Sequence, residues 1–407
     1  MSGSRKILFV LGGLAMGGVE TYVVRLSKVL AQTGCAVDVI LLSGKFDHRL
    51  MLELRGHARV LTVEHAGFLS ASSWINAFIP FGHGTREEYD IVHVVDMLTL
   101  GFVFLNREVI QAKSLSIGIY HAKELTWWRD KSTYFRRKLL GLYDQNVKLS
   151  LFPSDGVAEL AADLAGVGAN GMHVLPLGVD LSKYEACTPA RKSLKIVSVG
   201  RLVDFKTYNR HVITQLSAIR KFGECEYYVY GDGPEKAVLE QIAKDCGVAD
   251  YVHFMGKIEY ERLPEVLSGC FCFVGSGTSI IEASAAGVPS IVGIESIKTP
   301  HSCGFFSSVN GASYNEQLAT DVRMPITDLF ENLIKLSDGE YEELSREHRK
   351  KALEFDLRNT SLEFLRMSNT PPKFDYSFNR WRALASFFWS IFRFGPQALR
   401  SRFDHAD

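Results

Sequence analysis

Arg201 and Lys206 lie in Ile196-Val-Ser-Val-Gly-Arg-Leu-Val-Asp-Phe-Lys206, five residues apart on what reads as the loop between a buried strand and a helix. Strand C-termini of open α/β sheets are where ligands sit. Two cations there, with a helix N-terminus close by, suit a diphosphate that must leave with its charge neutralised. Taken alone, such a pair is most simply two solvated side chains. Its weight comes from two stretches further along the chain, Tyr230-Gly-Asp-Gly-Pro234 and Gly277-Thr-Ser-Ile-Ile-Glu-Ala-Ser-Ala-Ala-Gly-Val-Pro289.

In the second of these stretches, residues 279–286 are expected to form a short helix stopped by Gly287. Backbone N–H groups around Gly277, Thr278 and Ser279 at its start can cradle phosphate or sugar oxygens. Glu282 is expected on the first turn, where its carboxylate can take two ribose hydroxyls or simply complement the helix dipole. Near the N-terminus, Leu11-Gly-Gly-Leu-Ala-Met-Gly-Gly-Val-Glu20 joins a strand to a helix. Gly17 and Gly18 there allow close approach to a ligand, or only a tight turn. The spacing departs from G-x-G-x-x-G, so a dinucleotide fingerprint is a poor match. His121 follows the apolar run ending at Tyr120 and is expected at the C-terminal edge of the first sheet, although a lone histidine is more often a structural hydrogen-bonder. His93 and Asp96 occupy the matching edge of the preceding strand. With Glu124 they are the acceptor-side candidates.

These residues need two βα frameworks to position them. A chain of 407 residues is too long for one ordinary core. Its 46% hydrophobic and 23% charged content fits a globular protein. Zero formal charge argues against a nucleic-acid binder relying on bulk positive charge. Seven scattered cysteines lack C-x-x-C spacing, so neither a zinc site nor disulfides are expected. Arg5-Lys6 and the apolar run after them resemble a signal peptide, but the interrupting glycines fit a first strand and loop better. No run reaches the roughly 18 apolar residues that a spanning helix needs.

Apolar strands alternate with helical periodicity, which signals parallel sheets. Strands are expected near 6–10, 36–42, 91–95, 114–120 and 149–152, then near 196–199, 226–230, 251–254, 271–274 and 289–292. Residues 65–89 carry no assignable pattern, and 316–367 reads as helical. The expected division is an N-terminal domain at 1–175, a linker at 176–193, a second domain at 194–367 and a tail at 368–407.

The ordered series G-G-x-x-x-G-G-x-E, strand-His, P-x-G-V-D, V-G-R-L-x-x-x-K, G-D-G-P and E-A-x-A-x-G-x-P, running from Lys6 to Met367, resembles glycosyltransferase family 4. That resemblance implies the GT-B fold, two Rossmann-like β/α/β domains facing across a cleft, and a retaining hexosyltransferase that uses a nucleotide-diphosphate sugar. By the same resemblance, Arg201 and Lys206 hold the donor diphosphate, Glu282 the ribose, and Gly256, Lys257 and Ile258 line the base. His121 touches the transferred sugar or acceptor, and Gly17 and Gly18 approach across the cleft. One departure stands out. The family usually shows two glutamates eight apart, and eight residues before Glu282 stands Val274. Ser276, Thr278 or Ser279 would then have to supply the sugar contact, or a different sugar is bound.

No Asp-x-Asp or His-rich cluster is apparent, so neither metal nor cofactor is expected; the leaving-group charge falls to Arg201, Lys206 and helix N-termini. In the tail, Arg382, Ser386, Ser390 and Arg393 fall on one helical strip, with Trp381, Leu384, Phe388, Ile391 and Phe392 opposite. Residues 380–402 therefore suit either an interfacial helix on a membrane or a helix packed on the N-terminal domain. The first reading makes a lipid-linked glycan acceptor natural, in cell-surface polysaccharide synthesis at the cytoplasmic membrane face. A nucleotide-sugar epimerase and a catalytically silent glycan-binding or scaffold subunit are the rival expectations; no nucleic-acid partner is expected.

Overall fold

The computed structural model describes residues 4–15, 17–63, 73–82, 86–120, 133–165, 173–312 and 323–394. Two compact units share the chain, one formed by Met1–Gly178 with Leu357–Asp407 and the other by Val179–Asp356.

The first unit holds β1 (Lys6–Leu11), β2 (Ala36–Leu41), β3 (Arg59–Thr62), β4 (Glu87–Val94), β5 (Ile110–Gly118), β6 (Ser150–Phe152) and β7 (His173–Val174). Their order is β3-β2-β1-β4-β5-β6-β7, with every pairing parallel. Ile7, Leu8, Phe9 and Val10 are all fully buried, as strands covered by helices on both faces require. β4 starts four residues earlier than the hydrophobic pattern indicates. Its polar start is tied down instead, with Asp90 accepting from the Lys6 backbone N–H at 2.8 Å and Glu87 paired with the Lys6 ammonium. β3 and the helix His48–Arg55 before it are further additions; Asp47 caps that helix by accepting from the N–H groups of Arg49 and Leu50.

The end of the chain departs from the expected division. The helix Leu357–Met367 belongs to the first unit, not to the second domain at 194–367, because Phe364 stacks on Phe9 of β1 with ring centroids 5.7 Å apart. The following segment stays on the same unit. Thr370 O accepts from Leu115 N at 3.0 Å, and Asn146 Oδ1 accepts from Lys373 N at 2.8 Å. Rings of Phe374, Tyr376 and Phe378 then gather around Phe104.

The closing helix, Arg380–Phe394, packs on the helix Tyr134–Asn146. Its inward side is not the one that a plain apolar-versus-polar division selects. Ala383, Phe387 and Ser390 are buried, with Phe387 stacked on Trp74 and edge-on to Phe135. The small Ala383, Ser386 and Ser390 let the two helices approach. Ser386 Oγ accepts from the Tyr134 N–H at 3.0 Å, supplying the cap that Thr133 does not give. The strip of Arg382, Ser386, Ser390 and Arg393 is thereby split, its serines facing the unit and its arginines exposed.

The second unit is built on β8 (Lys195–Val199), β9 (Glu226–Tyr230), β10 (Val252–Gly256), β11 (Cys272–Gly275) and β12 (Ser290–Val292). They form a parallel sheet in the order β10-β9-β8-β11-β12. Residues 179–193, expected to be linker, are part of this unit. Val179 N donates to Phe355 O at 2.9 Å, while Tyr184 and Cys187 are buried in its core. All seven cysteines are free thiols.

Candidate functional site

In the second sheet the strand order reverses between β8 and β11. The loops leaving those two strands diverge at such a switch point and open a crevice at their C-terminal ends. After β8 come Gly200, Arg201 and Lys206, and after β11 come Ser276 and Gly277, so the fold brings the two motifs together.

Gly231 and Gly233 shape this edge from the side of β9. Their φ angles are +149° and +155°, and a Cβ on Gly231 would lie 1.8 Å from Gly200 O. Only glycine lets the two loops touch. The contact is fixed by backbone bonds from Gly200 N to Tyr230 O (2.9 Å) and from Leu202 N to Asp232 O (3.0 Å). The G-D-G-P motif is therefore a spacer that sets where the cationic loop runs.

Lys206 folds back over Gly200, where an ideal Cβ would lie 3.4 Å from both Lys206 Nζ and Tyr208 Oη. Burial disfavours its charge. Tyr208 and Glu295 more than offset that, and the ammonium is held above the ordinary lysine pKa, hence charged at neutral pH. Arg201 is exposed. One cation is thus held in place and partly desolvated, and the other is the more exposed of the two.

Glu295, which pattern reasoning missed, completes the cluster. Its Oε1 accepts from Ser276 Oγ at 2.7 Å and lies 4.0 Å from Lys206 Nζ. Only the strand-end position of the Ile294-Glu295 pair after β12 could have signalled it. Of the hydroxyls expected to stand in for a carboxylate at Val274, Ser276 is engaged with Glu295, and Ser279 Oγ donates to Ser276 O at 3.0 Å. Val274 itself is fully buried within β11.

The helix after β11 spans Thr278–Ala285, with Gly277 as N-cap at φ +68°. Thr278 and Ser279 therefore sit on its first turn, with backbone N–H groups that have no intrahelical acceptor. Because the helix starts one residue earlier than expected, Glu282 falls just past its first turn, and it is buried. A dipole role fades beyond the first turn, which weakens the simpler reading of this residue. On the far side of β8, Gly256 takes φ +73° and its carbonyl accepts from Gly231 N at 2.8 Å. Lys257 is exposed and Ile258 half-buried beside it.

In the first unit, Gly17 caps the helix Gly18–Gln32 with extended backbone (φ −151°), and a Cβ on Gly18 would meet nothing within 4 Å. Neither packing nor backbone conformation demands a glycine at 18. His93 and Asp96 are committed locally. Burial pushes His93 down to a pKa of about 3, and its ring bonds Ser116 Oγ and Tyr120 Oη at 2.9 and 2.8 Å. Asp96 forms a capping box with Thr99. His121 and Glu124 lie outside the described residues.

The chain has counterparts among known protein families. The model of Glycosyltransferase Family 4 matches residues 16–183, and that of Glycosyl transferases group 1 matches residues 186–306. The chain belongs to the GT4-type glycosyltransferases. A GDP-mannose-dependent alpha-(1-6)-phosphatidylinositol monomannoside mannosyltransferase of Mycobacterium tuberculosis is 32% identical over 148 residues, 31% of this chain and 38% of that one. The match therefore spans well under half the length of that relative. A 2-deoxystreptamine N-acetyl-D-glucosaminyltransferase of Niallia circulans is 23% identical, over 68% of this chain and 79% of that one. Among solved structures, Anabaena HepE in complex with UDP-glucose superposes with a TM-score of 0.61 at 18% identity, covering 89% of this chain and 98% of that one. TarM of S. aureus gives 0.63 at 11% identity over 90% and 100%. These likenesses show the GT-B fold for this GT4-type chain.

Proposed function

We propose that this protein transfers a sugar from a nucleotide-diphosphate donor to a glycan or lipid-linked acceptor. The observation that carries the reading is the half-buried, charged Lys206 at the β8/β11 switch point, flanked by the first turn of the helix Thr278–Ala285. In this reading Lys206 and Arg201 neutralise the diphosphate as it leaves. Backbone N–H groups at Thr278 and Ser279 take phosphate or sugar oxygens, Glu282 takes the ribose, and Gly256, Lys257 and Ile258 line the base. The leaving phosphate accepts the acceptor's proton on the face it vacates, which retains configuration. No metal is invoked, since the two cations supply the positive charge.

The acceptor side is read from the closing helix. Trp381, Phe388, Trp389 and Phe392 are exposed, Phe392 by 89%. Between Tyr376 and Phe403 the sequence has five arginines and no acidic residue. Aromatic side chains with basic neighbours favour the interface of an anionic lipid surface. Among the described residues no helix is long and apolar enough to cross a membrane. The function fits a peripheral enzyme of the cytoplasmic membrane face that works on lipid-linked or cell-surface glycans.

The test is calorimetric and thermal-shift titration with UDP, GDP, ADP and CMP, with Arg201→Ala as control. Binding of one diphosphate that weakens in the variant supports the donor site and names the base for transfer assays. Binding by none of them overturns the reading and favours a non-catalytic subunit.

A further inference from the structure

The loops after β8 and β12 are stitched together. Ser296 N donates to Phe205 O at 2.7 Å, and Thr207 Oγ1 reaches Ile294 O at 3.5 Å. Gly293 N donates to Gly275 O at 2.7 Å, so the loops after β11 and β12 also leave the sheet side by side. Gly293 has no room for a side chain, since a Cβ would lie 2.6 Å from the Tyr208 ring. Ser296 holds φ at +62°, one of two non-glycine residues with positive φ among those described. Strain of this kind persists only where the surroundings fix it, and it gathers at functional sites. Here the strained residue sets the position of Glu295 beside it.

A carboxylate at this place is a puzzle for a site that only binds diphosphate, because it repels the ligand and cancels part of the Lys206 charge. Glu295 is nevertheless held by Ser276 Oγ and Lys206 through Oε1. Its Oε2 makes no hydrogen bond among the described residues, although the side chain is only 22% exposed. A half-buried carboxylate with one oxygen anchored and the other open is built to accept hydrogen bonds from a neutral, hydroxyl-bearing group.

We propose that Glu295 is the specificity-determining residue for the donor sugar, accepting a sugar hydroxyl at Oε2 while Ser276 and Lys206 orient it. This assignment rests on the donor-site reading above. It places the sugar-recognising carboxylate at the end of β12, whereas the corresponding position on β11 is the buried Val274.

The experiment compares wild type, Glu295→Gln and Glu295→Ala by calorimetry, using the pairs UDP with UDP-glucose and GDP with GDP-mannose, after thermal unfolding has confirmed the fold. In the variants, affinity for the nucleotide sugar is expected to fall at least tenfold relative to its own diphosphate. Affinity for the bare diphosphate is expected to stay level or rise, because a negative charge beside Lys206 is gone. Parallel loss of both ligands would reduce Glu295 to a prop for Lys206 and overturn the assignment, as would an unchanged ratio. Wild type that binds diphosphate but none of the sugar forms more tightly than the variants do also counts against Glu295 alone. Wild type that binds no nucleotide overturns the donor site itself.

Discussion

Ser276 and Glu295 leave the ends of two neighbouring parallel strands, and the serine hydroxyl donates to the glutamate across the gap at 2.7 Å. That bond joins the start of the helix after β11 to the residue facing Lys206. This edge of the sheet is therefore one connected piece, and changes to any of its loops are expected to register at the lysine.

Lys206 supplies a half-buried charge. Replacing it with alanine is expected to weaken diphosphate binding by about 10- to 100-fold, as loss of a charge-assisted hydrogen bond of roughly 1.5–3 kcal/mol implies. Calorimetry reads this directly, and Lys206→Arg is expected to restore only part, because a planar guanidinium does not match the ammonium's position.

Gly231→Ala is expected to perturb binding without touching the ligand. Its Cβ would run into Gly200 O, so the cationic loop must shift. A cost of about 1–3 kcal/mol in stability is expected from the disallowed conformation, together with weaker diphosphate binding. A variant with wild-type midpoint and affinity would show that the loop spacing is unimportant.

The returning segment is expected to be integral to the first unit. Phe387→Ala removes a ring buried among Trp74, Phe78 and Phe135 and is expected to cost about 3–5 kcal/mol. Ser386→Ala, which uncaps the helix Tyr134–Asn146, is expected to cost about 1 kcal/mol. Urea denaturation followed by a probe in that unit measures both.

Acid is expected to destabilise both units through buried neutral histidines. Burial lowers His93 to about 3 and His348 to about 4, whereas the unfolded side chains titrate near the ordinary 6.5. Between those values the unfolded chain binds more protons, so stability falls as pH drops from about 6.5 towards 4. Each histidine contributes a slope of up to about 1.4 kcal/mol per pH unit. Denaturation midpoints at pH 7, 6 and 5 test this, and His348→Gln is expected to flatten the dependence of the second unit.

Trp389→Ser with Phe392→Ser is expected to change thermal stability little, because Phe392 is 89% exposed and Trp389 48%. Co-sedimentation with phosphatidylglycerol vesicles is expected to drop several-fold in that double variant and, for wild type, in high salt. Equal sedimentation of variant and wild type would remove the membrane from the proposed function.

The second sheet and five of the first sheet's seven strands were legible because those strands are short apolar runs bounded by glycine and polar turns; β3 and β7, at its edges, were not. Arg201, Lys206 and the helix after β11 were legible because loop chemistry comes directly after a buried strand. Glu295 was not, since it becomes meaningful only once β12 is laid beside β11, a long-range fact with no local signature. The return of Leu357–Met367 to the first unit was hidden for a similar reason. Phe364 finds Phe9 more than 350 residues away in sequence, and amphipathic periodicity says that a face is buried without saying on what. The closing helix misled in a subtler way. Ser386 and Ser390 read as solvent-facing by polarity, yet their small size is what the packing uses.

Because the first unit takes its sheet from one end of the chain and its last helices from the other, the order of manufacture is inverted. A ribosome has made the whole of Val179–Asp356, a contiguous stretch able to close its own sheet, before Phe364 or Phe387 exists. The part begun first is finished last, and until then Phe9, Phe104 and Trp74 lack the rings of Phe364, Phe378 and Phe387 that stack on them. A nascent chain stalled short of these residues is therefore a natural client for a chaperone.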